Sequence, residues 1–286
     1  MDNSKNLYST KRSLVMLFCV FAALMAVFAF FDLDISLALV NTDSFLAKFA
    51  ECASEIPTDF LMMMSFAVLF AGRSKKKTFW SILGAVICFI GVFEYGFFIF
   101  FFSVKYASTK LAIILGLTLG TAMGIGALFA AKKLLCIHKE AIIRAALIVV
   151  IAVLLQELTV NLLKIFWDRP RMRDLTAPYS DFCAWYKPRT SSFGGDSFPS
   201  GHTSKAAGAC LYVMLCDVFD RIKDKRSYFL AAGLLWTIII GVGRIVAAAH
   251  FASDVTAGAF FMLLSFIVAR AFSDSVLFKK KTKNEA

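Results

Sequence analysis

Several residue types are scarce in this chain of 286, and each scarcity excludes something. Proline occurs five times, well under the ~5% of an average protein, which removes collagen-like and proline-rich disordered readings. Seven cysteines are an odd number, too few for a disulfide scaffold at this length. Histidine occurs three times, so each one can be followed individually. Acidic residues number 20 against 31 Lys and Arg, a net charge of +11. No internal repeat and no low-complexity tract is present. On the side later read as outer there is no carboxylate or Cys/His cluster at metal-ligand spacing.

What the chain has instead is apolar surface. Apolar and aromatic residues make up 59%, Phe alone contributes 31, and the mean hydropathy is +0.72. That places the chain in the membrane class, with an all-α bundle as the expected fold. Eight apolar runs are long enough to span a bilayer as helix, at roughly 13–31, 56–72, 79–104, 111–131, 141–165, 199–219, 227–249 and 252–272. The first follows Lys11 and Arg12 and continues into Phe30-Phe31-Asp32-Leu33-Asp34 with no small-x-small site. It therefore reads as an uncleaved span. The whole of 1–286 reads as one membrane domain.

A net charge of +11 suggests nucleic acid in a soluble protein; here its distribution argues otherwise. With the N-terminus inside, segments 1–12, 73–78, 132–144, 216–226 and 270–286 face the cytoplasm. They hold 20 basic and seven acidic residues, a net +13, while the outer side is neutral and Glu94 and Glu157 lie inside spans. This asymmetry predicts both termini in the cytoplasm, an even number of spans and no nucleic-acid partner. Pro57, Pro170, Pro178, Pro188 and Pro199 all fall at outer connections, as expected of a residue that breaks helix interiors. Cys19, Cys88, Cys210 and Cys216 read as buried hydrophobes. Cys136 lies in a short basic loop, and Cys52 and Cys183 could pair if both meet an oxidising side.

Three polar clusters fall at the outer ends of the last four spans: Asn161 to Arg171, Phe198 to Ser204, and Gly243-Arg244 with His250 and Asp254. Lys164, Arg171 and Arg244 are three cations able to converge on one anion. Pro199-Ser200-Gly201 opens a helix whose free N–H groups favour an anion. His250 and Asp254 are four apart, on one helix face, where a carboxylate can orient an imidazole. His202 is a second histidine at the same surface. Such a set suits phosphoryl transfer to a histidine nucleophile, with the other histidine as general acid. Arg169, Arg173, Lys187 and Arg189 read as residues that extend to lipid headgroups. His138 with Cys136 reads as an ordinary loop pair.

Together the clusters resemble the phosphatidic acid phosphatase type 2 superfamily, which includes bacterial acid phosphatases and vanadium haloperoxidases. That pattern has a Lys followed seven positions on by Arg-Pro, then Pro-Ser-Gly-His, then Ser-Arg, five residues, His, three residues and Asp. Lys164 and Arg171, Pro199 to His202, and Arg244, His250 and Asp254 keep its spacing over residues 157–258. Met172 stands where Pro is usual and Gly243 where Ser is usual. The resemblance implies that His250 attacks phosphorus, Asp254 orients it and His202 protonates the leaving oxygen. It implies that Lys164, Arg171, Ser200, Gly201 and Arg244 bind the phosphate. It implies no metal and no cofactor, and it places the catalytic helices within 141–272. Members of the membrane branch have six spans, so the pair at roughly 79–131 reads as an addition.

The expected substrate is a lipid phosphate: polyprenyl pyrophosphate, phosphatidate, phosphatidylglycerophosphate or a lipid A phosphate, hydrolysed on the extracytoplasmic face. A phosphotransferase using the same site and a non-catalytic lipid transporter or binding protein are the alternatives. Among other polar positions, Glu157 and Asn161 share a helix face with Lys164 and are expected beneath it, inside the bundle. Lys205, one turn into its helix, is expected to extend outward or to reach the phosphate. The run Ala206, Ala207, Gly208, Ala209 offers a surface for close helix packing. Loop 172–198, with Phe182, Trp185 and Tyr186, reads as either a lid or an interface anchor.

Overall fold

The structure is a computed structural model, and it describes residues 3–73, 78–104, 108–188 and 194–277. Arg189 and the lysine-rich stretches 74–77 and 278–286, used above for headgroup contact and charge asymmetry, lie outside the described residues. Every regular element among the described residues is helical: α1 Asn3–Leu39, α2 Phe45–Ala53, α3 Ile56–Gly72, α4 Phe79–Val104, α5 Thr109–Leu115, α6 Thr121–Trp167, α7 Gly201–Ala207, α8 Leu215–Val218, α9 Arg226–Val246 and α10 Ala252–Phe272. Short 3-10 and π segments join several of them, notably 3-10 Gly208–Met214 between α7 and α8.

Six helices, not eight, are each long and apolar enough to cross a membrane among the described residues. Two physical reasons account for the difference. The runs at 111–131 and 141–165 count once because they fall in one helical stretch, Thr109–Asp174. That stretch holds two helices joined at a kink, where His138 (φ −141°, ψ 66°) leaves the helical region between the two runs. Its 66 residues are far more than the ~20 that one crossing of a ~30 Å hydrocarbon core needs. The seventh run becomes α7, a 3-10 segment and α8, whose α pieces are short. Its small residues serve close packing instead. Gly208 abuts Thr58 of α3, and a side chain on Gly233 of α9 would lie 2.7 Å from the Cys210 backbone.

The main core gathers α3, α4, α6 and α10 around Met62, Phe66, Val92, Val149, Leu211 and Met262. The helix α2 wedges against α9 and α7, where Ala47 meets Val246 and Ala50 meets Ala206 and Ile240. Two charge-rich ends result. At one, Arg144 pairs with Asp274, while Asp217 pairs with Arg226 and, at 3.2 Å, with Arg270. At the other lie Lys164, His202, Arg244, His250 and Asp254. Arg144 and Lys164 are 20 residues apart on α6, about 30 Å by helical rise, which matches a bilayer core.

Candidate active site

The site forms where four chain segments meet: the end of α6, the strap 194–200, the end of α9 and the start of α10. Each functional group is placed by backbone first. At the end of α9 the chain reverses through Ala248 (φ 52°), and the Arg244 carbonyl accepts from the N–H groups of Ala249 and His250 at 3.1 and 3.3 Å. This ties one cation to one histidine. The helix α10 then starts at Phe251, whose N–H donates to Asp254 Oδ2 at 2.8 Å, a first-turn carboxylate cap. The N–H of Ser200 donates to the Asp254 carbonyl at 2.9 Å, joining the starts of α7 and α10.

His250 is 1% exposed. Its Nδ1 lies 2.8 Å from the Ser197 carbonyl and 3.9 Å from Asp254 Oδ2. A carbonyl only accepts, so Nδ1 is assigned the proton and Nε2 keeps its lone pair. Asp254 thus does not hold the imidazole directly. Its carboxylate accepts from Ser197 Oγ at 2.6 Å, and Ser197 in turn presents the carbonyl to His250. The group that links Asp254 to His250 is a backbone carbonyl, which no residue pattern displays. Burial, with the cations of Arg244 and Arg171, pushes the His250 pKa down to about 4, so the ring is neutral at neutral pH.

Arg169 is the side chain whose placement differs most from its expected one. It does not extend to headgroups: it is 1% exposed. Its Nη1 donates to Asp254 Oδ1 at 2.6 Å and to Ser253 Oγ at 2.7 Å, its Nη2 to Asp32 Oδ2 at 2.9 Å, and its Nε to the Cys183 carbonyl at 2.8 Å. Phe251 lies 4.2 Å beneath its guanidinium. Asp32, on α1, also accepts from the Ser253 N–H at 2.9 Å. A signal was available: Asp32 is an acid in an apolar run, and such groups usually face the protein interior.

Of the three expected cations, Lys164 and Arg171 converge on one carboxylate. Arg171 Nε and Nη2 approach Asp196 Oδ1 and Oδ2, each at 2.6 Å, and Lys164 Nζ is 4.0 Å from Oδ2. Burial raises the Asp196 pKa, but Arg171 first and then Lys164 outweigh it, and the net direction is down. Gly201 lies alongside, since a methyl group there would sit 3.7 Å from Lys164 Nζ. Arg244 is buried within 3.5 Å of Glu51 on α2. His202 is partly buried in the first turn of α7. The Ser200 hydroxyl is the N-cap of that helix, 3.3 Å from the Thr203 N–H and 3.0 Å from Thr203 Oγ1, so it is engaged in capping rather than directed at an anion.

Other expectations change as well. Glu157 does not lie beneath Lys164; it pairs with Lys205 at 3.2 Å, and Asn161 is exposed and donates to the Glu157 carbonyl on its own helix. Lys205 does not extend outward but is held by Glu55 at 2.8 Å, with Asp59 at 4.0 Å. The inward residue of that face is Gln156, which donates to Ser204 Oγ at 2.7 Å. Met172 is a core residue of loop 172–198, packed with Phe251, Ala248 and Phe182. Its described part 172–188 packs as a cap: Trp185 Nε1 donates to the Met25 carbonyl and Trp167 Nε1 to the Trp185 carbonyl. Gly243 is explained by α2, because a side chain there would meet Ala50 Cβ and would lie 2.9 Å from the Leu46 carbonyl. No disulfide joins Cys52 and Cys183 among the described residues, and the Cys183 thiol donates to the Lys187 carbonyl.

Fold and site define a class first: a multi-pass membrane helix bundle that gathers cations and two histidines at one end. Comparison with known proteins adds a likeness. Residues 145–276 match the family model described as PAP2 superfamily, and the site residues from Lys164 to Asp254 lie inside that stretch. Phosphatidylglycerophosphatase B of Bacillus subtilis (strain 168) is 29% identical over 85 residues, which cover 28% of this chain and 40% of that protein. The chain thus aligns with about two fifths of the relative's length. No solved structure matches.

Proposed function

We propose that this protein is a lipid phosphatase of the membrane, acting on a phosphate monoester or pyrophosphate at the bilayer surface. The observation that carries the reading is the His250 hydrogen bond to the Ser197 carbonyl, which leaves Nε2 as a neutral nucleophile beside Arg244. In the proposed cycle Nε2 attacks phosphorus and forms an N–P bond while the P–O bond to the lipid breaks. His202 gives its proton to the departing oxygen. Water then attacks the phosphohistidine, His202 takes the water's proton, and phosphate leaves with the imidazole restored. Lys164, Arg171, Arg244 and the Gly201 N–H stabilise the charge that develops on the phosphoryl oxygens. Their fixed positive charge supplies what a metal supplies elsewhere, so turnover is expected without added metal.

The substrate classes considered are polyprenyl pyrophosphate, phosphatidate, phosphatidylglycerophosphate and lipid A phosphates. The partial likeness to a phosphatidylglycerophosphatase favours a glycerophospholipid phosphate first. The termini are proposed to be cytoplasmic and the site extracytoplasmic, on the charge asymmetry described above. A lipid hydroxyl replacing water at the phosphohistidine would make the enzyme a phosphotransferase. A non-catalytic lipid carrier would need the cations, but not two histidines with one tautomer fixed.

Phosphate release by purified protein from a panel of these lipids, with EDTA present, tests the proposal. Turnover is expected in the wild type and near-complete loss in His250→Ala and His202→Ala. Equal turnover in all three proteins would sink the mechanism. A membrane-impermeant thiol reagent on intact cells tests sidedness: Cys183 is expected to react and Cys136 to stay protected, and the reverse would place the site inside.

A further inference from the structure

Asp196 engages two of the cations read as phosphate ligands, Arg171 and Lys164. Its carboxylate accepts a hydrogen bond from Arg171 Nη2 at 2.6 Å and makes an ion-pair contact with Nε at 2.6 Å, with Lys164 at 4.0 Å. Arginine offers this fork equally to carboxylate and to phosphate. We infer that Asp196 is an internal competitor for the phosphate cradle, filling it between turnovers and setting the affinity for phosphoryl ligands. The inference rests on the reading of Lys164 and Arg171 as phosphate ligands.

The backbone around Asp196 is suited to such a role. On one side the Gly195 N–H donates to Asp168 Oδ1 at 2.6 Å, and Gly195 lies so close to Arg169 that a side chain there would be 2.5 Å from its carbonyl carbon. On the other side the Ser197 N–H donates to the Arg169 carbonyl at 3.0 Å, its hydroxyl to Asp254, and its own carbonyl accepts from His250. Residues 195 and 197 are pinned, so the strap that orients His250 need not move. The Asp196 side chain is 50% exposed, and rotation about its own bonds is enough to move the carboxylate from Arg171 into solvent. The Arg169 side chain, whose acids are fully buried, has no such exit. Entry of a phosphoryl group then exchanges one anion for another at Arg171. After hydrolysis the carboxylate returns and displaces the product.

A competitor of this kind lowers apparent affinity by the fraction of time that it leaves the cradle open. The test uses full-length protein in detergent, with phosphatidate in mixed micelles as substrate and inorganic phosphate as inhibitor. In Asp196→Asn and Asp196→Ser, KM and the inhibition constant for phosphate are both expected to fall about tenfold, with the gain carried by KM. In an Arg171→Ala background the same substitutions are expected to give no gain, because the contested ligand is gone. A merely structural Asp196 predicts the opposite pattern, with kcat and thermal stability falling together and phosphate inhibition unchanged or weaker. That result in both variants overturns the inference. If the wild type hydrolyses phosphatidate and Arg171→Ala weakens phosphate inhibition, while the Asp196 variants match the wild type, only the competitor role fails. If Arg171→Ala leaves phosphate inhibition untouched, the phosphate-cradle reading fails and takes the inference with it.

Discussion

Arg169 and Arg171 are two residues apart and live in different environments. Arg169 lies under the site, buried between Asp32 and Asp254, with its contacts made to buried carboxylates and a backbone carbonyl. Arg171 lies at the rim, partly exposed, held by one carboxylate that can rotate into water. The same guanidinium braces the floor in one case and receives an anion in the other. What separates them is the mobility and solvent access of the partner, not the chemistry of the cation.

That contrast can be broken by substitution. The largest effect is expected on turnover from His250→Ala, on the order of 10⁴-fold or more if the nucleophile is removed, with thermal unfolding close to wild type. Arg169→Ala is expected to cost about 3–5 kcal/mol of stability, because two buried carboxylates lose their counter-charge. If denaturant titration found Arg169→Ala stable and only inactive, the division into floor and rim would be wrong. Arg171→Ala is expected to reduce kcat/KM about 10²–10³-fold with little change in the unfolding midpoint.

The sequence disclosed the titrating groups better than what lies under them. Lys164, Arg171, Arg244 and the two histidines could be picked out because charged and titrating side chains are rare at the ends of apolar runs. The floor could not, for two reasons. Asp32 and Arg169 meet across 137 residues, a distance at which periodicity carries no information. The group that orients His250 is the Ser197 carbonyl, which every residue has. At α6 no Gly or Pro marks the junction, yet the kink at His138 falls in the gap between the apolar runs 111–131 and 141–165. The small run 206–209 did predict close packing, because it is the absence of side-chain bulk that permits it.

Two smaller effects sharpen the contrast further. The buried, cation-flanked His250 is expected to remain neutral down to about pH 4. An unfolded histidine protonates near 6.5, so the unfolded state binds more protons between those values. Stability from this group is therefore full above about pH 6.5 and is lost as pH falls toward 4. NMR of labelled histidines should show one signal, missing in His250→Ala, that titrates near 4; titration near 6.5 would place the ring in water. Last, Gly243→Ser is expected to cost about 1–3 kcal/mol, since its side chain enters the space of Ala50 and Leu46. A neutral result in thermal unfolding would mean that α2 yields without cost.

The bond between Asp32 and the Ser253 N–H joins residues 221 apart in sequence. A ribosome adding 5–20 residues per second needs roughly 10–45 s to make that stretch. Until then the first helix carries a carboxylate whose set of partners is incomplete. Arg169 emerges first and Ser253 later, so the brace is completed only when α10 begins to emerge. Biogenesis of this protein thus has a built-in order, in which the first span is secured to the site by the last.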